Sequence, residues 1–170
     1  MAQLGQYMTP GFPGMKSSAE DDNVQTFVTS VDVAPGLITH SDAAMKTLVP
    51  PTTSGSVAAG LVLFDGEYQY QRAFQASAIT GNVIGAKLPA NVLRKGKGWA
   101  TVSTANGATC TPGKPVKYST DGTVSDQGTL TLPGAVFRTA AIVPTTNLGF
   151  TTVVAEIEMN TMLAGQTPVT

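Results

Sequence analysis

Apolar and polar side chains alternate along several short stretches of the chain, and this alternation predicts β-strands. Residues 24–33 (VQTFVTSVDV) are rich in β-branched side chains and half alternating, which is typical of a strand with one buried face. Residues 56–64 (SVAAGLVLF) are apolar enough for an inner strand. In residues 150–159, every second position from 153 to 159 is apolar, while 156 and 158 are glutamates. That segment is expected to close the domain as a half-buried strand.

Turn signals separate these stretches. Asp65-Gly66, Asn106-Gly107 and Asp121-Gly122 are two-residue sequences that favour tight β-hairpins. Further strands are predicted at 67–74, 82–88, 98–105, 115–120, 123–125 and 135–143. This spacing predicts an all-β fold, which is a single β-barrel or β-sandwich of about 8–10 short strands within residues 24–160.

Residues 37–55 fit no strand pattern. Asp42 to Leu48 is predicted to form one helical turn, which Pro50-Pro51 ends. The same stretch contains His40-Ser41-Asp42, the three residue types of a hydrolase triad. Consecutive residues on an extended chain point to alternating sides, so these three groups do not converge. We therefore interpret the tripeptide as part of a loop.

The first 23 residues differ from the rest of the chain. They carry several large apolar side chains, while two prolines block a helix and three glycines weaken a strand. The stretch is too apolar for an ordinary flexible tail, which is usually polar and charged. We therefore predict an extended N-terminal arm over residues 1–23 that lies against a partner. Residues 161–170 are predicted to form a flexible C-terminal tail.

Composition and charge narrow the function classes. The chain has 170 residues, of which 12% are charged, and its net charge of −1 argues against a dedicated nucleic-acid binder. Residues 1–85 carry three Lys or Arg against seven Asp or Glu, whereas residues 86–170 carry seven against four. Opposed charges of this kind favour head-to-tail association of identical subunits, and a chance asymmetry explains them equally well.

Candidate chemistry is sparse. The single cysteine, Cys110, excludes an intrachain disulfide and a cysteine metal cluster, and it fits a protein made in a reducing cytoplasm. Glu20-Asp21-Asp22 is interpreted as a solvated acidic patch rather than a calcium site. No apolar run approaches the roughly 18 residues of a membrane span, and no signal peptide is recognisable. We therefore predict no enzyme activity, no metal, no cofactor and no membrane contact.

The strongest charge feature is the basic run Arg94-Lys95-Gly96-Lys97, followed closely by Trp99. One interpretation is nucleic-acid contact with Trp99 stacked on a base. A second is docking onto an acidic protein surface through Arg94, Lys95 and Lys97. The interpretation that we favour is an exposed loop with Trp99 turned into the core. Three cations in a chain of net negative charge make a weak electrostatic footprint, so no direct nucleic-acid binding is expected.

Several stretches together resemble the head decoration, or cement, proteins of tailed phages. These are Phe12-Pro13-Gly14-Met15 followed by the polar residues 17–23, then Thr26-Phe27-Val28, then residues 112–123 (PGKPVKYSTDGT), and finally Val153-Val154-Ala155-Glu156-Ile157. In this family, such elements correspond to an arm, a first strand, a glycine-rich β pattern before an Asp-Gly hairpin, and a closing strand.

The resemblance implies a structural virion protein that is made in the host cytoplasm and binds the outer surface of the capsid. The implied partner is the major capsid protein. The implied state is a homotrimer that clamps neighbouring shell subunits against the pressure of packaged DNA. The capsid-binding residues expected in the arm are Leu4, Tyr7, Met8, Phe12, Pro13, Gly14 and Met15.

Alternatives remain open for the arm and for the whole chain. Residues 1–15 are either a tether that orders only on a partner, helped by main-chain hydrogen bonds to it, or a segment that is mobile in every state. The chain is also compatible with a tail, fibre or baseplate component. A third class is a nucleotide hydrolase on a trimeric β-barrel, for which Asp121 and Asp126 are the nearest candidate carboxylates.

Overall fold

The computed structural model describes residues 11–17, 22–64, 83–105, 107–143 and 152–160. Over these residues the chain forms strands, turns and bends without a helix, which confirms the predicted all-β class. The predicted hairpin at Asp65-Gly66 and the strand at 67–74 lie outside the described residues. So do Asn106 of the second hairpin signal and the predicted C-terminal tail.

Eight strands are present in the described part of the chain. They are β1 (Asn23–Thr29), β2 (Ile38–Ser41), β3 (Thr47–Val49), β4 (Val57–Val62), β5 (Pro89–Thr101), β6 (Pro115–Tyr118), β7 (Leu130–Phe137) and β8 (Val154–Met159). The inner strand predicted at 56–64 is confirmed as β4, and the closing strand is confirmed as β8. The Asp121-Gly122 turn is also confirmed, because β6 leads into it and Tyr118 bridges to Val124 across it.

The first five strands close into a barrel. Their order is β1-β3-β2-β4-β5, and the pairing of β1 with β5 completes the ring. The β1–β3 pair is parallel, whereas the other pairs are antiparallel. Alternation along β1 buries Phe27 and Thr29 and leaves Val24 and Val28 exposed. The barrel core consists of Phe27, Val33, Leu48, Ala59, Val62, Ile84, Ala90 and Val92.

Strand β5 continues past the barrel and begins a second sheet. Its residues 96–101 pair with β8, which is followed by β7 and β6. Gly96, with a φ of 119°, lies where β5 changes from its barrel partners to β8. Val124 forms β-bridges with both Tyr118 and Val102. The residues that follow β6, at the edge of this sheet, therefore pair with the residue that follows β5. The second core therefore lies between this sheet and the outward side chains of β2, β4 and β5.

The structure corrects three local predictions. Residues 42–46 form a tight turn between β2 and β3 instead of a helical turn, because the Asp42 carboxylate accepts the Lys46 and Thr47 amides at 2.8 and 3.2 Å. In place of a strand at 82–88, the described residues show one bridge at Ile84 and a turn before β5. The basic run 94–97 is not an exposed loop but part of β5.

Candidate functional site

Residues 11–17, which we call the strap, lie along the second half of β5. The Gly14 amide donates to the Trp99 carbonyl at 2.8 Å, and the Trp99 amide donates to the Met15 carbonyl at 2.9 Å. On the other side of the strap, the Phe64 amide donates to the Gly14 carbonyl at 2.9 Å. The strap therefore pairs with β5 of its own subunit through backbone bonds and links β5 to the segment that follows β4.

The strap covers Trp99. This residue pairs with Glu156 of β8 and lies on the face opposite Ala100, which belongs to the second core. Its side chain points outward, yet it is only 7% exposed. Gly11 explains this burial, because it lies so close to the indole ring that a Cβ atom at this position would collide with it. The predicted burial of Trp99 is therefore confirmed, but the indole lies under the strap and belongs to neither core cluster.

The sequence Phe12-Pro13-Gly14 fits closely against its own domain. The rings of Phe12 and Phe64 meet edge to face with their centroids 4.9 Å apart. A Cβ atom on Gly14 would lie 2.7 Å from the Phe64 amide nitrogen, and one on Gly36 would lie 2.7 Å from Pro13. Glycine is needed at both positions, which also have positive φ values of 77° and 84°. Contact of these strap residues with a capsid stays a prediction.

An ion pair fixes the end of the strap. Lys16 Nζ lies 3.0 Å from the Asp22 carboxylate, and the Asp22 side chain is only 6% exposed. That carboxylate packs so closely over Gly96 that any Cβ atom there would collide with it. Within the described residues, the predicted solvated acidic patch is therefore wrong for Asp22. Its role is to hold the strap at the point where β5 changes partners.

The three cations of the basic run have different surroundings. Arg94 is buried, and its Nη1 donates to the Gln25 side chain at 2.8 Å. Lys95 and Lys97 are half-buried, and the Lys97 carbonyl accepts the Ser17 amide of the strap at 3.0 Å. Partner contact by this run stays a prediction. Its accessible part consists of the two lysines next to the strap, because the Arg94 guanidinium is bound inside the subunit.

His40, which we interpreted as part of a loop, lies instead in β2 with 1% of its surface exposed. Its Nδ1 lies 2.8 Å from the Ser56 hydroxyl, and its Nε2 lies 2.8 Å from the Tyr118 hydroxyl. Burial lowers the pKa of His40 to about 4 and raises the pKa of Tyr118 to about 12. The imidazole forms no triad with its neighbours Ser41 and Asp42, because Asp42 binds the amides of its own turn.

Asp121 and Asp126, the carboxylates considered for nucleotide hydrolysis, both stabilise local backbone. Asp121 accepts the Thr123 amide at 2.9 Å and the Thr123 hydroxyl at 2.7 Å, which closes the turn after β6. Asp126 accepts the Thr111 hydroxyl at 2.6 Å and the Thr111 amide at 3.2 Å. Burial opposes ionisation of Asp126, but these hydrogen bonds and nearby Lys114 outweigh it and lower its pKa.

Cys110 lies beside this carboxylate in the second core. The thiol is buried, and burial together with the Asp126 charge raises its pKa to about 12. A thiol of this kind is a packing group rather than a nucleophile. Across the described residues, no group of three or more His, Cys, Asp or Glu side chains is placed to hold a metal ion. No described helix is long and apolar enough to cross a membrane.

These observations define a class of protein. The described residues form an all-β domain whose possible sites are surfaces for backbone pairing and side-chain packing rather than a cluster of reactive groups. A family model described as "Structural cement protein (E217 gp24/Pam3 gp6)" matches residues 2–160. The chain therefore belongs to this family of phage structural cement proteins.

A solved structure supports the fold. A chain from "The capsid of Myoviridae Phage XM1" superimposes with a TM-score of 0.62 and 19% sequence identity, covering 96% of this chain and 100% of that one. No curated protein matches the chain in sequence.

Family membership decides between the alternatives that the sequence left open for the function of the whole chain. The protein is a structural cement protein of a phage capsid and a component of the virion, and it is not an enzyme. The tail, fibre or baseplate interpretation and the nucleotide-hydrolase interpretation are both set aside on this ground. The resemblance identified from the arm, the Asp-Gly hairpin and the closing strand is confirmed at the level of the family.

Proposed function

We propose that this protein binds the outer surface of the phage head and joins neighbouring major capsid subunits through its N-terminal residues. The strap is the observation that carries this proposal. It holds Gly11 against Trp99 and fixes Gly14 between β5 and Phe64. Gly11, the residue that follows the segment 1–10, is therefore held at a fixed point of the domain. A pull on the segment 1–10 would reach β5, the strand that belongs to both sheets, through the backbone bonds of the strap.

The apolar residues of this first segment are the anchors. Leu4, Tyr7 and Met8 supply large side chains in a stretch that has no charged side chain. Burying each of them against a shell subunit would contribute about 1.5–3 kcal/mol. The strap lowers the cost of binding, because residues 11–17 are already ordered on their own domain and lose no further freedom. Pairing of residues 1–10 with an exposed strand edge of the capsid would add main-chain hydrogen bonds.

Phe12, Pro13, Gly14 and Met15 have a supporting role in this proposal. They anchor the N-terminal segment to its own subunit, so that residues 1–10 can reach the shell. Lys95 and Lys97 lie next to the strap and are suited to an acidic rim on the capsid surface, where opposite charge speeds association. Arg94 keeps its internal contact with Gln25.

The proposal includes a homotrimer at threefold and quasi-threefold positions. Once one arm of a trimer has bound the capsid, attachment of the second and third arms is intramolecular. The trimer would therefore bind more tightly than any single arm. Attachment to several shell subunits at once would resist the outward pressure of packaged DNA. A mass measurement in solution and on the capsid tests the trimer separately from the arm.

The arm is tested with capsids that lack this protein. Wild-type protein, a variant without residues 1–10, and the variant L4S/Y7S/M8S are each mixed with them and sedimented. We expect full occupancy for the wild type and at least a tenfold weaker binding for both variants. The truncation stops before Gly11, so Trp99 stays covered and its fluorescence reports an intact domain. Equal occupancy by all three folded proteins would overturn the role of the arm.

A further inference from the structure

His40, the one histidine of the chain, connects the two sheets. It lies in β2 of the barrel, while its Nε2 partner, Tyr118, is the last residue of β6 in the second sheet. Two positions earlier in β2, the Ile38 amide donates to the Gly122 carbonyl at 2.8 Å. The hairpin that follows β6 is therefore fastened to β2 at two points, one through main chain and one through the imidazole.

The hydrogen bonds around His40 fix one tautomer. The Ser56 hydroxyl donates its single proton to the Thr53 carbonyl at 2.6 Å, so it can only accept from His40 Nδ1–H. His40 Nε2 then carries the lone pair and accepts the Tyr118 hydroxyl proton. The result is a continuous series of donors from Tyr118 through His40 and Ser56 to the Thr53 carbonyl.

We propose that neutral His40 is an acid-sensitive lock between the barrel and the second sheet, and that protonation of this one side chain releases the β6 hairpin from β2. A proton on Nε2 would turn the acceptor of the Tyr118 hydroxyl into a donor. Tyr118 would then have to turn its own proton toward a new acceptor inside the core. The imidazolium would in addition place a positive charge in a site with 1% exposure.

The surroundings of His40 offer little to stabilise a positive charge on its imidazole. Its pairing partners on the neighbouring strands are Val49 and Ala58, which are apolar. Tyr118 is the titratable group in contact, and its raised pKa of about 12 keeps it neutral. Asp42 follows β2 in the chain and Asp121 lies in the turn after β6, and each of these carboxylates binds the backbone of its own turn. The folded pKa of about 4 for His40 agrees with this geometry.

The sign of the pH effect follows from a folded pKa below the unfolded one. The unfolded chain binds a proton near pH 6.5, whereas the folded protein resists it down to about 4. The contribution of His40 is therefore fully present above pH 6.5 and is lost as the pH falls through this window. Over this window the folding equilibrium constant drops by about two orders of magnitude on account of this group. Well below pH 4, where His40 is protonated in both states, the group adds no further change.

The experiment measures urea unfolding of the full chain from pH 7.5 to 3.5, for the wild type and for H40N. Asn can donate to Ser56 without a titrating group, so we expect its pH slope between 6.5 and 4 to be smaller by the His40 contribution. Hydrogen exchange at the same pH values should show the amide of Ile38, which bonds β2 to Gly122 of the hairpin, opening before those of β1. Equal slopes in both proteins, or simultaneous opening, would overturn the proposal.

A second measurement does not depend on the variant. Ring ¹⁵N shifts of the single histidine in the folded wild type should report the Nδ1–H tautomer above pH 5. They should change only near pH 4. An Nε2–H tautomer, or a titration midpoint near 6.5 in the folded protein, would equally overturn the proposal.

Discussion

Gly11 lies directly against the indole ring of Trp99, so the strap buries the single tryptophan of the chain from outside the sheet. We predict that removal of residues 1–10 leaves Trp99 fluorescence and stability near wild type. Removal of residues 1–17 should shift the emission to longer wavelength and lower the free energy of unfolding by about 2–4 kcal/mol, because it exposes Trp99 and breaks the pairing with β5. Emission spectra and urea titrations measure both effects.

The comparison between the two truncations is the control. A red shift already present without residues 1–10 would mean that the strap does not hold Trp99 by itself. An unchanged spectrum without residues 1–17 would contradict the covered position of the indole. The shorter truncation is therefore the one suited to the capsid-binding test, because it leaves residues 11–17 in place.

Gly14 offers a test of how tightly the strap fits. A Cβ atom there would lie 2.7 Å from the Phe64 amide nitrogen and 2.9 Å from the Val62 carbonyl, at a φ of 77°. Gly113 is a matched control, because it has a φ of 83° and no atom of the described residues lies within 4 Å of the position that a Cβ atom would take. We expect G113A to cost about 1–2 kcal/mol through backbone strain alone.

For G14A we expect the same strain plus about 1–3 kcal/mol from the clash, together with a red shift of Trp99 emission. Equal destabilisation by G14A and G113A, with unchanged fluorescence, would show that the strap tolerates the added methyl group and is loosely held. Thermal or urea unfolding with tryptophan emission gives both quantities in one experiment.

The ion pair at the end of the strap is open to a double-mutant cycle. Replacing Lys16 by Met should cost roughly 1–3 kcal/mol, because the Asp22 carboxylate is then buried without its partner charge. The double variant K16M/D22N should recover most of that loss. We expect a coupling free energy of about 1 kcal/mol or more, measured by urea unfolding. Strictly additive effects would contradict an energetic link between the two side chains.

Cys110 should be protected in the folded protein. With its pKa raised to about 12 by burial and by the Asp126 charge, roughly one thiol in ten thousand is ionised at pH 8. We predict that a disulfide-exchange reagent modifies native protein at least a hundredfold more slowly than protein unfolded in urea. Equal rates would show that the second core opens readily around this residue.

The sequence predicted those strands whose own residues carry the pattern. Alternation places Ala155, Ile157 and Met159 of β8 in the second core and keeps the two glutamates outside it. The inner strand β4 and the Asp121-Gly122 turn were equally visible, because a continuous apolar run and an Asx turn are local signals.

The course of β5 was not predictable in the same way. Its residues 94–98 contain three cations and two glycines, which no strand pattern favours. They are extended because β1, β8 and the strap supply hydrogen-bonding partners on both sides. The outward but buried position of Trp99, and the bond between His40 and Tyr118, likewise depend on residues far apart in the chain. Only the tertiary structure brings such residues together.

A reconstruction of heads decorated with this protein tests the central claim most directly, because it shows where residues 1–10 lie. We predict that the strap stays on its own β5 while Leu4, Tyr7 and Met8 contact a neighbouring capsid subunit across a subunit boundary. Density in which those three side chains fold back onto their own domain, with the shell contacted only elsewhere, would contradict it.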